Sequence, residues 1–371
     1  MTWAQVVSLV ALVLALAALV VGLVLLRRLP RRAKRTGSGE GAAGAHRQGA
    51  PTGPAAFVVN PIKVDDIEGL HTRVLQAAEN LGLAEPIWLE TTAEDPGAGQ
   101  ARAALDRGAS VVVAAGGDGT VREVASVLAG TQVPMALLPL GTGNLLARNL
   151  DLPLENIEAQ VHTALGGSDH PLDLGWLRPE RLTPGDQAPP AQEDSAGEEH
   201  IFLVMAGIGF DAQMVAGAND DLKAKMGWLA YFFAGARHLH GHKSRLRMQV
   251  GEGEVRRLRV RSLLFANCGR LPGGIVLLPD AQLDDGWLDV AALDTRGGLI
   301  GWASLFGKVM LQGIGIRRSL PAPSSIQFWR GRRVRVVCDQ PEPVQVDGDL
   351  IDSVNALTVW VQPRGLRVRT R

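Results

Sequence analysis

The residues with the clearest chemical potential sit between Ser110 and Leu128. A run of small apolar residues, Val111 to Ala115, leads into Gly116-Gly117-Asp118-Gly119-Thr120, after which Val121, Val124, Ala125 and Leu128 recur at helical spacing. Strand, glycine turn and helix follow one another. Glycines in such a turn let backbone N–H groups approach a phosphate, and the helix N-terminus adds partial positive charge. Asp118 is the odd member. Beside bound phosphates a carboxylate is repelled unless it holds Mg²⁺, directly or through water; the alternative is that it caps the helix. A second unit follows at once, with a strand from Val133 to Leu138, the turn Pro139-Leu140-Gly141-Thr142-Gly143-Asn144 and a helix from Leu145. Two glycine turns from neighbouring strands can face one ligand. Neither is a common nucleotide loop, since no third glycine completes GxGxxG after Gly117 and the stretch Gly301 to Lys308 only approaches GxxxxGKS/T.

These turns need a scaffold. Phe57 to Val59 reads as a strand, Gly69 to Leu81 as a helix, Ile87 to Leu89 as a strand, and Gly99 to Arg107 as a helix before the strand at Val111. Alternation of this kind implies a parallel sheet covered by helices, which binds ligands in loops at the carboxyl ends of its strands. From about Leu172 the pattern changes to short apolar runs separated by turns: Ile201 to Met205, Arg245 to Val250, Leu258 to Asn267, Trp287 to Ala292, Arg333 to Val337 and Ala356 to Gln362. The fold class expected is α/β, with a parallel-sheet nucleotide-binding domain over 57–170 and a second, mainly β (sandwich) domain over 171–350. The final segment, 351–371, is expected to return to the first domain. Between them Arg178 to Glu199 carries six acidic residues, two basic residues and four prolines, and reads as a disordered insertion.

Lys+Arg and Asp+Glu both total 38 in 371 residues, a balance that argues against a nucleic-acid partner. The balance is polarised along the chain. Thr2 to Leu26 is uncharged and rich in Val, Leu and Ala, about 37 Å long as a helix, enough for a ~30 Å hydrocarbon layer. Seven basic residues and one acidic residue follow between Arg27 and Arg47. An N-terminal transmembrane helix over 2–26 is therefore expected, then a basic flexible linker over 27–56. The positive-inside rule places the catalytic body in the cytoplasm, giving a single-pass protein of the plasma membrane whose helix and basic collar meet the lipid bilayer. Cys268 and Cys338 read as small buried side chains, and a homodimer is carried as an expectation. His238, His240 and His242 alternate and could share one strand face as metal ligands; Gly241 and the flanking cations favour a solvated basic patch. Trp228 to Phe233 suits either a bilayer contact or the packing of a helix.

GGDGT at 116–120 together with PLGTGN at 139–144 resembles the catalytic domain of diacylglycerol kinases, in the bacterial lipid-kinase branch that also includes sphingosine kinases. The resemblance continues at Asn60-Pro61, Leu172 to Gly175, Ala206 to Asp211, Pro279 to Asp289 and Val346 to Asp349, so it covers about residues 55 to 371 apart from the acidic insertion.

The resemblance implies a lipid kinase that transfers the γ-phosphoryl of Mg·ATP to a lipid hydroxyl, diacylglycerol to phosphatidic acid above all, here joined to the membrane anchor expected at 2–26. ATP contacts then fall to Asn60, Pro61, Lys63, Thr92, Gly116, Gly117, Asp118, Gly119, Thr120, Glu123, Gly141, Thr142, Gly143 and Asn144. Asp118 and Asp173 match acidic positions of the phosphoryl-transfer cleft. The family's late DGE motif supplies the general base and reads Asp347-Gly348-Asp349 here, also the composition of a type I′ hairpin turn, with either carboxylate able to take the proton. The loop around Asp285 matches a structural Mg²⁺ site, with carbonyls from Gln282 and Trp287; a plain Asp-Gly turn is the alternative. Two positions depart from the pattern. Leu145 stands where many members carry an acidic residue, and Asp349 replaces the usual glutamate. They leave room for a catalytically impaired lipid-binding regulator, and the shared GGDGT turn for a kinase of a soluble substrate such as NAD.

Overall fold

The computed structural model describes residues 53–180, 197–209, 243–271, 275–278, 280–295 and 324–371. The first half alternates strands and helices: β1 (Ala55–Val59), α1 (Ile67–Asn80), β2 (Ile87–Glu90), α2 (Ala98–Asp106), β3 (Val111–Gly116), α3 (Asp118–Leu128), β4 (Met135–Pro139), α4 (Leu145–Asn149) and α5 (Ile157–Gly166). β2, β1, β3 and β4 are neighbours in that order and run parallel. Their side chains divide by the two-residue period of a strand. Val112, Ala114, Met135 and Leu137 pack with Ala101 and Ala104 of α2 and Val121, Val124, Ala125 and Leu128 of α3. Val111, Val113, Ala136 and Leu138 pack on the other face with Leu70 and Val74 of α1 and Val161 and Leu165 of α5. A strand apolar at every position is thus buried on both faces, as a parallel sheet requires.

The second half is β-rich: β5 (Ser168–Glu180), β6 (His200–Phe202), β7 (Met205–Gly209), β8 (Ser244–Val250), β9 (Arg256–Val260), β10 (Ser262–Ala266), the short pair β11 (Arg270–Leu271) and β12 (Ile275–Val276), β13 (Leu288–Thr295), β14 (Ser324–Gly331), β15 (Arg333–Val346) and β16 (Asp349–Thr370). Its core gathers Phe202, Ile208, Met248, Leu263, Phe265, Val336, Leu357 and Val359. β15 and β16 form one long antiparallel hairpin, and β16 also lies along β5. Near its end β16 meets β4 in parallel at Val368 and Met135, so one sheet runs through both halves.

Several expectations change. Among the described residues no helix is long and apolar enough to cross a membrane. The longest, α1, has 14 residues, about 21 Å at ~1.5 Å per residue against a ~30 Å hydrocarbon layer. Residues 2–26 lie outside the described part, as do the basic collar and most of the linker. The transmembrane helix is accordingly removed from the fold class, and with it the single-pass plasma-membrane location. Arg178 to Glu180, assigned to a disordered insertion, form the end of β5 opposite Ala356 to Thr358; residues 181–196 are outside the described part. Ala55 and Ala56, assigned to the linker, belong to β1. The run Ile201 to Met205 breaks between β6 and β7, and Leu258 to Asn267 breaks at Arg261. Cys268 and Cys338 are free and buried, as expected. His238, His240, His242, the segment Trp228 to Phe233 and the stretch Gly301 to Lys308 lie outside the described residues.

Candidate active site

The strand ends of the parallel sheet set the floor. Asn60 N–H donates to Ala115 O (2.9 Å), Thr91 N–H to Val59 O (2.8 Å) and Leu140 N–H to Gly116 O (3.0 Å), which brings the loops after β1, β2, β3 and β4 to one edge. Asn60 Oδ1 accepts from Ile62 N–H at 3.1 Å and opens a single 3₁₀ turn over Pro61–Lys63, leaving Lys63 exposed. Thr92 is exposed as well, its Oγ1 accepting from Asp95 N–H at 3.1 Å.

The two glycine turns touch. A Cβ at Gly141 would lie 2.6 Å from Gly117 Cα, so close approach of the two backbones demands glycine there. Asn144 closes the second turn in a left-handed conformation (φ 49°), accepting from Gly141 N–H at 3.0 Å and donating to Gly141 O at 2.7 Å. Gly119 is different. A Cβ there would meet nothing within 4 Å and its backbone is not left-handed, so neither packing nor conformation demands glycine. The space beside it, at the N-terminus of α3 and next to Gly117, is open to a ligand.

Asp118 joins the turns. Its Oδ2 accepts from Asn144 N–H at 2.9 Å and its Oδ1 from Leu145 N–H at 2.7 Å, so it caps α4, the helix after the other turn, rather than its own. Burial pushes its pKa up, the two amides pull it down, and the nearby Asp349 charge pushes it up further. Each oxygen keeps a second lone pair beyond its amide bond. The departure at Leu145 is thereby explained in part: its backbone amide does the bonding, while its side chain is buried in the core with Leu146 and Ala147.

The late motif comes to the same place. Asp347 (φ 46°) and Gly348 (φ 93°) form the two-residue turn between β15 and β16, with the signs a type I′ turn requires. The two carboxylates have different surroundings. Asp347 is buried, and its side chain accepts from the N–H groups of Leu203 (2.7 Å), Val204 (2.9 Å) and Met205 (3.0 Å), which fixes the break between β6 and β7. Burial raises its pKa to about 6, against those amides and the Arg122 guanidinium, which lower it. Asp349 is open, with 60% of its side chain exposed, and pairs with Arg122 Nη2 at 2.8 Å. Arg122 also donates through Nη1 to Val346 O at 3.0 Å. One arginine on the nucleotide-turn helix thus grips the hairpin at two points.

Comparison with known proteins fits this geometry. Residues 54–177 match the diacylglycerol kinase catalytic domain and residues 204–370 the YegS C-terminal NAD kinase beta sandwich-like domain. The "probable lipid kinase YegS-like" of Pseudomonas putida is 34% identical over 267 residues, 71% of this chain and 78% of that protein. The chain belongs to the YegS-like lipid kinases of the diacylglycerol kinase family. A diacylglycerol kinase of Mycobacterium tuberculosis is 31% identical over 203 residues, 53% of this chain and 60% of that protein. A crystal structure of a diacylglycerol kinase from Bacillus anthracis superposes with a TM-score of 0.63 at 18% identity, covering 86% of this chain and 97% of that one, a likeness of fold. The protein is an ATP-dependent kinase.

In this lipid kinase the remaining carboxylates are engaged apart from the turns. Asp173 is buried and accepts from Gly286 N–H (2.5 Å) and Arg364 N–H (2.7 Å), while its own N–H donates to Leu283 O (2.7 Å). Those bonds make it a brace for the loop before β13 and for the kink in β16. Asp285 accepts from Trp287 N–H at 3.0 Å and pairs with the Arg330 guanidinium, which also faces Asp289 at 3.6 Å. The arginine supplies the positive charge that a structural Mg²⁺ would bring, and Gln282 and Trp287 are both exposed. The Asp285 carboxylate is thus engaged by a cation of the protein's own, and among the described residues no group of three or more His, Cys, Asp or Glu could hold a metal. Asp118 lies where the two glycine turns meet, its carboxylate against Gly143, Asn144 and Leu145.

Arg122 and His200 were missed by sequence reasoning. His200 is half-buried near Arg122, Glu123 and Glu198, and burial lowers its pKa. For Arg122 one signal existed: it lies on α3 between the apolar positions Val121 and Val124, so it leaves the core face within one turn of Asp118. Gly119→Ala tests the cradle. It is expected to leave the melting temperature unchanged or raised, since alanine favours helix by up to ~1 kcal/mol, while ATP affinity by calorimetry falls about tenfold, ~1.4 kcal/mol. Undiminished ATP affinity would place the nucleotide elsewhere.

Proposed function

We propose that this kinase transfers the γ-phosphoryl of Mg·ATP to the hydroxyl of diacylglycerol, forming phosphatidic acid, with Asp349 as the general base. The carrying observation is the grip of Arg122 on the hairpin, which presents the accessible carboxylate of Asp349 to the helix that starts at the Gly116–Gly119 turn. The backbone amides of the two glycine turns receive the triphosphate, with Asn60, Lys63, Thr92 and Thr142 along the same edge and Glu123 one helical turn beyond Thr120. Asp118 would hold Mg²⁺, which would supply positive charge to offset that on the transferring phosphoryl group.

Asp349 accepts the proton of the attacking hydroxyl. Asp347 is given a positioning role in this reading, since both of its oxygens accept from the amides of residues 203–205. It sets the hairpin turn from which Asp349 projects, and Asp173 braces the β-rich half in the same indirect way. Leu350, 45% exposed and directly after Asp349, gives the approach an apolar surface suited to an amphiphile. Diacylglycerol is preferred as acceptor because the Mycobacterium tuberculosis relative bears the name diacylglycerol kinase.

The test is an acceptor panel. Purified protein, Mg²⁺ and γ-labelled ATP are incubated with diacylglycerol, sphingosine or NAD, and labelled products are separated. Label in phosphatidic acid is expected. Label only in sphingosine phosphate or NADP would replace the acceptor, and no label with any of them would contradict the proposal.

A further inference from the structure

The β-rich half carries an arginine-lined pocket away from the hairpin turn. On the sheet face around Trp360, strand register sets Arg333 of β15 and Trp176 of β5 opposite that residue, one on each side. The two indoles stack, with centroids 6.2 Å apart and planes 8° from parallel. Arg178 lays its guanidinium over the Trp360 ring at 5.3 Å, and the neighbouring Arg332 lies over the Trp287 ring at 5.0 Å. Arg178, Arg332, Arg333 and Trp360 line a pocket of about 410 Å³.

Three of the four lining residues are arginines, and their charge is only partly met. Arg178 pairs with Glu199 and the adjoining Arg335 with Glu180. Arg332 and Arg333 are exposed and make no ion pair among the described residues. Aromatic faces hold Arg178 and Arg332, so their planar donors are ordered before a ligand arrives. Guanidinium groups converging on one pocket match a phosphate, which accepts paired N–H bonds. Tryptophan beside arginine is also the pairing that suits the polar boundary of a bilayer. Trp360 follows Asp349 by 11 residues on β16, about 36 Å of strand at ~3.3 Å per residue, so the pocket is separate from the phosphoryl-transfer centre.

We propose that this pocket binds a phosphate group, that of an anionic phospholipid headgroup or of a small soluble phosphate ester, and so holds a charged lipid surface independently of the reacting lipid. The experiment uses the full chain and vesicles of phosphatidylcholine with or without phosphatidylglycerol, an anionic lipid that is not the proposed acceptor. Arg332→Gln/Arg333→Gln is compared with wild type and with Arg256→Gln/Arg257→Gln, which removes the same charge from exposed positions on β9. Binding to anionic vesicles is expected to weaken about 30-fold in the pocket variant, from ~1 kcal/mol per basic residue, and far less in the control. Activity on detergent-dispersed diacylglycerol is expected to be unchanged in both, which shows that they fold. Release of wild type from vesicles by millimolar inorganic phosphate assigns the pocket to soluble phosphates as well; resistance assigns it to the headgroup. Equal losses in the two variants, or none in either, would overturn the proposal.

Discussion

Asp349→Asn is expected to lower kcat for lipid phosphorylation by about 10²- to 10⁴-fold, the usual worth of a positioned proton acceptor. The amide keeps the shape of the carboxylate and removes its basicity. Stability is expected to change little. The Asp349 side chain is 60% exposed and its pairing with Arg122 is a surface ion pair, worth under about 1 kcal/mol. ATP affinity is expected to hold as well, because the glycine turns and Asp118 keep their own bonds. A loss of rate without a loss of fold separates the chemistry of this position from its architecture.

Asp347→Ala is expected to do the reverse damage. Three buried amides, those of Leu203, Val204 and Met205, lose their acceptor together. At ~1–3 kcal/mol for each orphaned donor, unfolding free energy falls by at least about 3 kcal/mol, readable as a lower denaturant midpoint. The left-handed backbone at this position (φ 46°) adds a further penalty for alanine. The pH dependence carries a signature of its own. Burial raises the folded pKa of Asp347 to about 6, above the unfolded value of ~3.9, so between those values the native state holds the proton more tightly than the unfolded state. The stability this group contributes is therefore fully present below about pH 4 and lost as pH rises through about 6, and that slope is expected to vanish in the variant. A wild-type curve flat across pH 4 to 6, with the same midpoint loss, would keep the structural role and reject the raised pKa.

The parallel sheet and both glycine turns were legible because their signals are local. Strands buried on both faces are apolar at every position, and glycine marks each turn that two backbones must share. The hairpin at Asp347-Gly348 was legible for the same reason. What those carboxylates do was not. Asp347 meets amides about 140 residues away in the chain, Arg122 meets Asp349 across the whole second half, and Asp118 caps a helix that starts 27 residues later. No spacing rule reaches such pairs: Asp347 meets those amides because β15 lies beside β7, and Asp118 meets Leu145 because β3 lies beside β4. The ion pair of Asp285 with Arg330, 45 residues on, was equally out of reach. Two elements could have been found. Asn156 caps α5, whose Ile157, Val161, Ala164 and Leu165 recur at helical spacing. β5 was obscured by Pro171 and Pro179, yet it pairs with β16 along most of its length.

The role of Asp349 is tested most directly by a single turnover. Enzyme preloaded with labelled Mg·ATP is mixed with diacylglycerol and quenched on the millisecond scale, comparing wild type with Asp349→Asn. The expected result is a chemical step slowed at least 100-fold with the same amount of bound ATP, in line with the loss of a general base. A chemical step as fast as that of wild type would contradict the account and move the proton acceptor to another residue.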